Sequence, residues 1–291
     1  MHRTPASLLH RVFVQGFTLG QLFSKRPGIA LAAYRYRFRQ AVRRFVARPA
    51  PQQIPPGPLV LLVDGLWFQF EGRPWVLYLT ALKPCQRRYA VFLDPLLFPG
   101  KEGASGGREA IAAIPASPLR RIQALVADNL PGMRGFAHEH GWVLQLCHFH
   151  MLLKLQVRHR GVRYALRGGP VREEIDQLIR GGLHGLDGRL LHRALDRLDR
   201  LSRSDCGTPR IQAAVREFLH GLAFYRAYLT YPQLGLPQTT NVVESMGRIL
   251  REMLRSSRAG SNPAALLLWA TALIRMRPTM TCNGPDINRK T

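Results

Sequence analysis

The sequence predicts an α/β fold: a mixed five-stranded sheet with helices on its faces, an α-helical insertion before the last long helices, and a small helical region at the N-terminus. Three observations predict it. Short apolar runs bounded by turn residues recur between Leu59 and Cys147, the pattern of buried strands. A single helical stretch, residues 130–140, separates the last two of those runs. From His148 to about Tyr228, leucines then recur every three or four positions with arginines between them, which is the period of a helix.

Taken in order, residues 8–46 alternate apolar and basic positions at helical spacing, broken by Gly16 and by the turn Arg26-Pro27-Gly28, and read as three short helices. The third, residues 29–45, sets Arg35, Arg37, Arg39, Arg43 and Arg44 among Tyr34, Tyr36 and Phe38 directly after that turn. Such a segment suits a helix-turn-helix reader of DNA and equally a basic arm that clamps phosphates. Residues 48–58 are proline-rich, favour extended backbone and predict a linker between an N-terminal region (1–47) and a main domain (59–277).

Leu59-Val60-Leu61-Leu62-Val63 is a continuous apolar run that stops at Asp64-Gly65, which predicts a strand buried on both faces with a carboxylate at its end. Residues 75–82 and 89–93 predict the next two strands, and residues 120–128 repeat the first pattern, closing on Asp128. A helix over 130–140 and a fifth strand over 142–147 follow. Three strands, then strand, helix and strand, is the order of a ribonuclease-H-like sheet. The insertion, about residues 151–236, reads as helix rather than more sheet. Residues 239–255 predict a helix with a polar start, and Asn262-Pro263 a cap and first-position proline for a final helix reaching about residue 275. The tail, residues 278–291, reads as flexible.

Of 291 residues, 42 are Lys or Arg and 18 are Asp or Glu, a formal net charge of +24. That excess demands a polyanionic partner or an anionic membrane surface. A membrane span needs roughly 18 apolar residues in succession. The longest run, residues 264–274, has only the length of a core helix, so no membrane role is expected and double-stranded nucleic acid is the expected partner. The opening Met1-His2-Arg3-Thr4 is not followed by a leader-like apolar stretch, so the cytoplasm is the expected compartment. Cys85, Cys147, Cys206 and Cys282 form no Cys-x-x-Cys pair, which argues for reduced thiols rather than a disulfide framework or zinc ribbon.

Against this basic background, acids at strand ends stand out. Phosphodiester transfer uses two divalent cations about 3.5–4 Å apart, and such hard ions take carboxylate oxygens. If the first and fourth strands are neighbours, Asp64 and Asp128 lie side by side and repel unless a cation sits between them. Glu244, one turn into a polar-started helix, is the candidate third ligand. The ordinary alternatives are a turn cap at Asp64-Gly65 and a helix pair between Glu244 and Arg248.

Val63-Asp64-Gly65, Ala127-Asp128-Asn129, Cys147-His148-Phe149-His150 and Thr240-Asn241-Val242-Val243-Glu244 together resemble the Mutator-like transposases and their bacterial insertion-sequence relatives, over about residues 59–277. The resemblance implies a DDE transposase: cut-and-paste DNA transposition at a two-metal Mg2+ or Mn2+ site held by Asp64, Asp128 and Glu244. Water hydrolyses the strand at the element's end, and the freed 3′-hydroxyl attacks target DNA. It also implies supporting roles for Cys147, His150 and Asn241 near the site, transposon-end and target DNA as partners, a dimer or higher oligomer on DNA, and work at the bacterial nucleoid. Arg158, Arg160 and Arg163 in the insertion, with Arg248, Arg251 and Arg255 after Glu244, are expected to track phosphates. Cys147, His148 and His150 lack a clear fourth ligand and read as a packed cysteine with hydrogen-bonded histidines. The N-terminal region departs from the group in being short and without a Cys-x-x-Cys zinc module, which leaves end recognition to residues 8–46. Two other functions share these residues: a ribonuclease-H-like nuclease that cuts without joining, and a decayed or domesticated transposase that only binds DNA.

Overall fold

The computed structural model describes residues 5–23, 30–50, 52–155, 157–159, 162–164, 170–203, 208–257 and 261–282. Helices α1 (Pro5–Phe13), α2 (Leu19–Phe23) and α3 (Leu31–Val46) come first. Strands β1 (Leu59–Phe70), β2 (Arg73–Pro84), β3 (Tyr89–Phe92) and β4 (Leu96–Pro99) follow, then helices α4 (Ala104–Ala112) and α5 (Ala116–Leu119), strand β5 (Ile122–Ala127), helix α6 (Met133–Glu139) and strand β6 (Val143–Leu146). The insertion comprises α7 (His148–Lys154), a hairpin of β7 (Val157–His159) and β8 (Val162–Tyr164), and helices α8 (Pro170–His184), α9 (Gly188–Arg203), α10 (Pro209–Tyr225) and α11 (Ala227–Thr230). Helices α12 (Asn241–Ser257) and α13 (Pro263–Met276) and strand β9 (Thr279–Thr281) complete it.

Seven strands make one mixed sheet, ordered β6-β5-β1-β2-β3-β9, with β4 also paired to β2. The central strand β1 is antiparallel to β2 and parallel to β5, and β5 is parallel to β6. The five expected strands are present, and two short ones were not expected. β4 pairs with β2, and β9, in the tail expected to be flexible, pairs with β3 from Tyr89↔Thr281 to Val91↔Thr279. The insertion also holds the small β7–β8 sheet where helix alone was expected.

A further difference concerns Asp64. β1 does not stop there but pairs with β2 along its whole length, from Leu59↔Pro84 through Asp64↔Leu79 to Phe70↔Arg73. Leu66, Phe68 and Phe70 continue a period-two apolar pattern past Gly65. The hairpin is closed instead by Glu71 and Gly72, at φ 50° and 77°, the left-handed pair that matches the twist of two strands. Asp64 is therefore a mid-strand residue, whereas Asp128 does follow directly on the end of β5.

The alternation along β1 assigns its side chains to two cores. Val60, Leu62 and Leu66 join Val243 of α12, Trp269 of α13 and Phe38 of α3. Leu59, Leu61 and Val63 join Ile111 of α4, Phe136 of α6 and the insertion residues Ile179, Leu198 and Val215. The N-terminal helices share the first core. Tyr34, Phe38 and Val42 recur every four residues as the buried stripe of α3, and the rings of Phe13 and Phe38 lie 5.4 and 5.6 Å from Trp269.

The proline-rich segment between them is tied down at both ends. Arg275 pairs with Asp94 and donates to the carbonyls of Val46 and Arg48, and Arg121 donates to the carbonyl of Pro55 at 2.6 Å. The turn Arg26-Pro27-Gly28 lies outside the described residues. Among the described residues no helix is long and apolar enough to cross a membrane.

Candidate active site

The register of β1 against β5 sets Leu62 opposite Val126, and two residues further along each strand stand Asp64 and Asp128. Alternation puts Asp64 on the face of β1 shared with Leu62 and Leu66, the face that α12 covers. α12 comes close because Gly247 has no side chain: a Cβ there would lie 2.7 Å from Cδ2 of Leu66. Glu244 is three residues earlier on the helix and so on the same side of it, over Asp64.

The start of α12 is stitched to the junction of β6 and α7. The amide of Cys147 donates to the carbonyl of Ala127 at 2.9 Å, and that of His148 to the carbonyl of Gln238 at 2.9 Å. Thr240, fully buried, donates its N–H to the Cys147 sulfur at 3.4 Å and its hydroxyl to Oε1 of Glu244 at 2.8 Å. Sγ of Cys147 thus lies 4.0 Å from Oε1 of Glu244. One helical turn on, Nε2 of His150 lies 4.0 Å from Oδ1 of Asp64, while its Nδ1 is buried without an oxygen or nitrogen partner. Asn241 opens α12 half-buried, its N–H donating to Oγ1 of Thr239.

Of the expected site residues, Asp64 and Asp128 are brought level on neighbouring strands, with Glu244, Cys147 and His150 around them. The donors that approach most closely, within 4.8 Å of one another, are those of Cys147, His150 and Glu244; among the described residues the three carboxylates form no group that tight. The His150 ring lies beside Asp64 and feels the charge of Asp128 as well.

The electrostatics are those of an over-acidic pocket. Burial pushes the Asp64 carboxyl up to about 7; the charges of Glu244 and Glu102 push the same way, against His150 and the Gly65 N–H, which donates to Oδ1 at 3.0 Å. For His150, burial opposes the charged form, but the hydrogen bond and charge of Cys147, with Asp128 and Asp64, outweigh it and hold the imidazole well above its ordinary value. His148 behaves oppositely. It is buried against the carbonyl of Tyr225 at 2.6 Å, and desolvation lowers it to about 4, so it is a neutral core histidine whose Nε2–H is committed to that carbonyl.

Three participants escaped the sequence reading. Glu102, in the loop before α4, is half-buried, accepts from the indole N–H of Trp67 at 3.2 Å, and is raised first by burial and then by Asp128. A Cβ on Gly65 would lie 2.4 Å from its Oε1, so Gly65 makes room for a fourth acid rather than turning the chain. Lys154, from α7, lies 4.0 Å from Oδ1 of Asp128 and donates to Glu217 of α10 at 2.6 Å; Tyr225 donates to the same Glu217 oxygen at 3.2 Å. Glu102 and Glu217 carry no local signal, since they reach the site only through tertiary packing, whereas Lys154 stands one turn after His150 on α7, a spacing that could have found it.

The expected phosphate contacts divide by element. Arg35, Arg37, Arg39, Arg43 and Arg44 are all exposed on α3, opposite its buried stripe. Arg248, Arg251 and Arg255 are exposed along α12 at spacings of four, three and four from Glu244, one continuous edge leading away from the acids. Arg158 and Arg163 are cross-strand partners in the β7–β8 hairpin, their side chains outside the described part, and Arg160 lies outside the described residues. No protein-family model matches the chain, and no curated protein matches its sequence.

Proposed function

We propose that the chain is a DDE transposase with a ribonuclease-H-like core, cleaving DNA at transposon ends and joining the freed 3′ end to target DNA. The observation that carries the reading is the level placement of Asp64 and Asp128 on adjacent parallel strands, with Glu244 held over them by the Gly247 contact. The adjacency of the first and fourth expected strands supports the ribonuclease-H-like assignment.

The donor set fits hard divalent cations. Its carboxylate oxygens are what Mg2+ or Mn2+ take, and Asp64 is pushed up to about 7 by burial and acidic neighbours, the condition that a cation relieves. Asp64, Asp128 and Glu244 would hold them, and metal there would supply activation of the attacking oxygen and stabilisation of the leaving one. The chain's own part is preorganisation. The Gly65 amide fixes one oxygen of Asp64, the Asn129 amide one oxygen of Asp128 at 2.6 Å, and the Thr240 hydroxyl one oxygen of Glu244. Lys154 supplies positive charge beside Asp128, and Nε2 of His150 faces Asp64.

DNA would be held by its phosphates. The exposed arginines of α3 and α12 present fixed rows of charge.

The test is a cleavage and joining assay on duplexes carrying the flanking inverted repeats. Mg2+-dependent nicking followed by a joined product is expected, and Asp64→Asn should abolish both while salt-sensitive DNA binding persists. Equal cleavage by the variant refutes the site. Cleavage without joining moves the reading to a ribonuclease-H-like nuclease.

A further inference from the structure

We infer that Cys147, His150 and Glu244 form a second, softer cation site, suited to Zn2+, that shares Glu244 with the hard-cation site. The thiol, the imidazole and the carboxylate already lie within 4.8 Å of one another, and the sulfur is 4.0 Å from Oε1 of Glu244. Zinc–ligand distances of about 2.0–2.3 Å in a tetrahedron put donors roughly 3.3–3.8 Å apart. The sulfur and the carboxylate therefore need to close by only a few tenths of an ångström, and the widest separation by about 1 Å, within the reach of side-chain torsions.

The surroundings are those of a ligand set rather than of a packed cysteine. Cys147 is the N-cap of α7 and His150 stands in its first turn, so both lie at the same end of the helix. The sulfur accepts the Thr240 N–H at 3.4 Å, which fixes it beside Glu244. The buried Nδ1 of His150 has no oxygen or nitrogen partner, and its other nitrogen faces Asp64. A carboxylate behind the second ring nitrogen is the usual support of a metal-bound histidine. His148 is excluded because it does not belong to the group of donors that converge within 4.8 Å; its ring is held against the Tyr225 carbonyl instead. Three protein donors leave the fourth position to water, and a thiolate selects zinc over magnesium.

The site itself is independent of the transposase reading, and only its consequence rests on it. Zinc would withdraw Glu244 from the magnesium centre, so that occupancy of the soft site switches nicking off.

Cobalt is the probe. Full-length protein titrated with Co2+ should bind one equivalent with a thiolate-to-cobalt charge-transfer band and tetrahedral visible bands, both reversed by Zn2+ and unaffected by millimolar Mg2+. Cys147→Ser should abolish the charge-transfer band, whereas Cys85→Ser and Cys282→Ser should retain it. Glu244→Gln, close to isosteric, should keep the band and weaken binding at least tenfold, which guards against a Cys147→Ser variant that fails to fold. Absence of the band from the wild type, or its survival in folded Cys147→Ser, overturns the site. Zinc should inhibit nicking over the concentrations that displace cobalt, and full nicking by zinc-loaded protein refutes the sharing of Glu244. A cobalt site in a protein that nicks no DNA leaves this site standing and removes the transposase reading; nicking without the band does the reverse.

Discussion

Replacing Asp64 with asparagine removes a charge that the fold accommodates poorly. The carboxyl is buried between strand and helix, and its pKa rises from 3.8 to about 7, burial being the first cause and the charges of Glu244 and Glu102 adding to it. In the unfolded chain the same group ionises near 3.8, so between that pH and about 7 the folded state binds the extra proton. Stability therefore falls as pH rises through this window. The penalty is absent below about pH 4 and complete above about pH 7. At about 1.4 kcal/mol per pH unit the window is worth a ceiling of about 4 kcal/mol. Asparagine keeps the oxygen that accepts the Gly65 amide at 3.0 Å, so little is lost in exchange. Water drawn toward the carboxylate reduces the gain, and about half the ceiling, a rise in Tm of several degrees, is expected. Thermal unfolding with EDTA present, near pH 4.5 and near pH 8, reads it. The variant should match the wild type at the lower pH and exceed it at the higher, and Mg2+ should raise the Tm of the wild type alone. A variant that is no more stable than the wild type at pH 8, or equally more stable at both, refutes the reasoning.

Gly247→Val drives a side chain into Leu66 and should cost about 1–3 kcal/mol in a denaturant titration while lifting Glu244 away from Asp64. Nicking should fall more than stability explains, and an unchanged rate counts against the helix contact as the positioning device. Glu102→Gln removes a neighbour that raises Asp64, so the acid limb of the nicking–pH profile should move to lower pH; an unmoved limb shows the fourth acid to be electrostatically silent. Changing Arg35, Arg37, Arg39, Arg43 and Arg44 together to glutamine should leave the Tm nearly unchanged, since all five are exposed, yet flatten the log–log salt dependence of DNA binding by about 0.9 for each phosphate that is no longer neutralised. Fluorescence anisotropy across a salt series measures that slope, and an unaltered slope assigns DNA binding elsewhere.

The features legible in the sequence are those encoded locally. The apolar runs of β1, β5 and β6, the period of the insertion helices, and the Asn262 cap, whose Oδ1 accepts the Ala265 amide at 2.8 Å, each depend on a few consecutive residues. Asp64 reads as a strand end because Asp-Gly resembles a turn, and only pairing with β2 reveals that Gly65 clears space for Glu102. β4 and β9 are four and three residues long and owe their form to a partner strand rather than to a pattern of their own. The buried stripe of α3 announces an apolar face but not that Trp269 of α13 covers it. Glu102 and Glu217 lie far from the motif residues in sequence, and no spacing rule joins them; Lys154 follows His150 by one helical turn, but nothing local shows that it reaches Asp128.

The hydrogen bond from the His148 amide to the Gln238 carbonyl has an architectural consequence. The chain enters the insertion and leaves it through the same narrow doorway, the one closed by that bond. What lies beyond is no loose appendage: Ile179, Leu198 and Val215 share the core beneath β1, and Lys154, held by Glu217 at 2.6 Å, reaches to 4.0 Å from Asp128. Asp64, Asp128 and Glu244 all stand on the near side of that threshold. Variation in how such a protein grips DNA is therefore tolerated on the outer surfaces of those helices and not at the shared core or the Lys154–Glu217 pair beside Asp128.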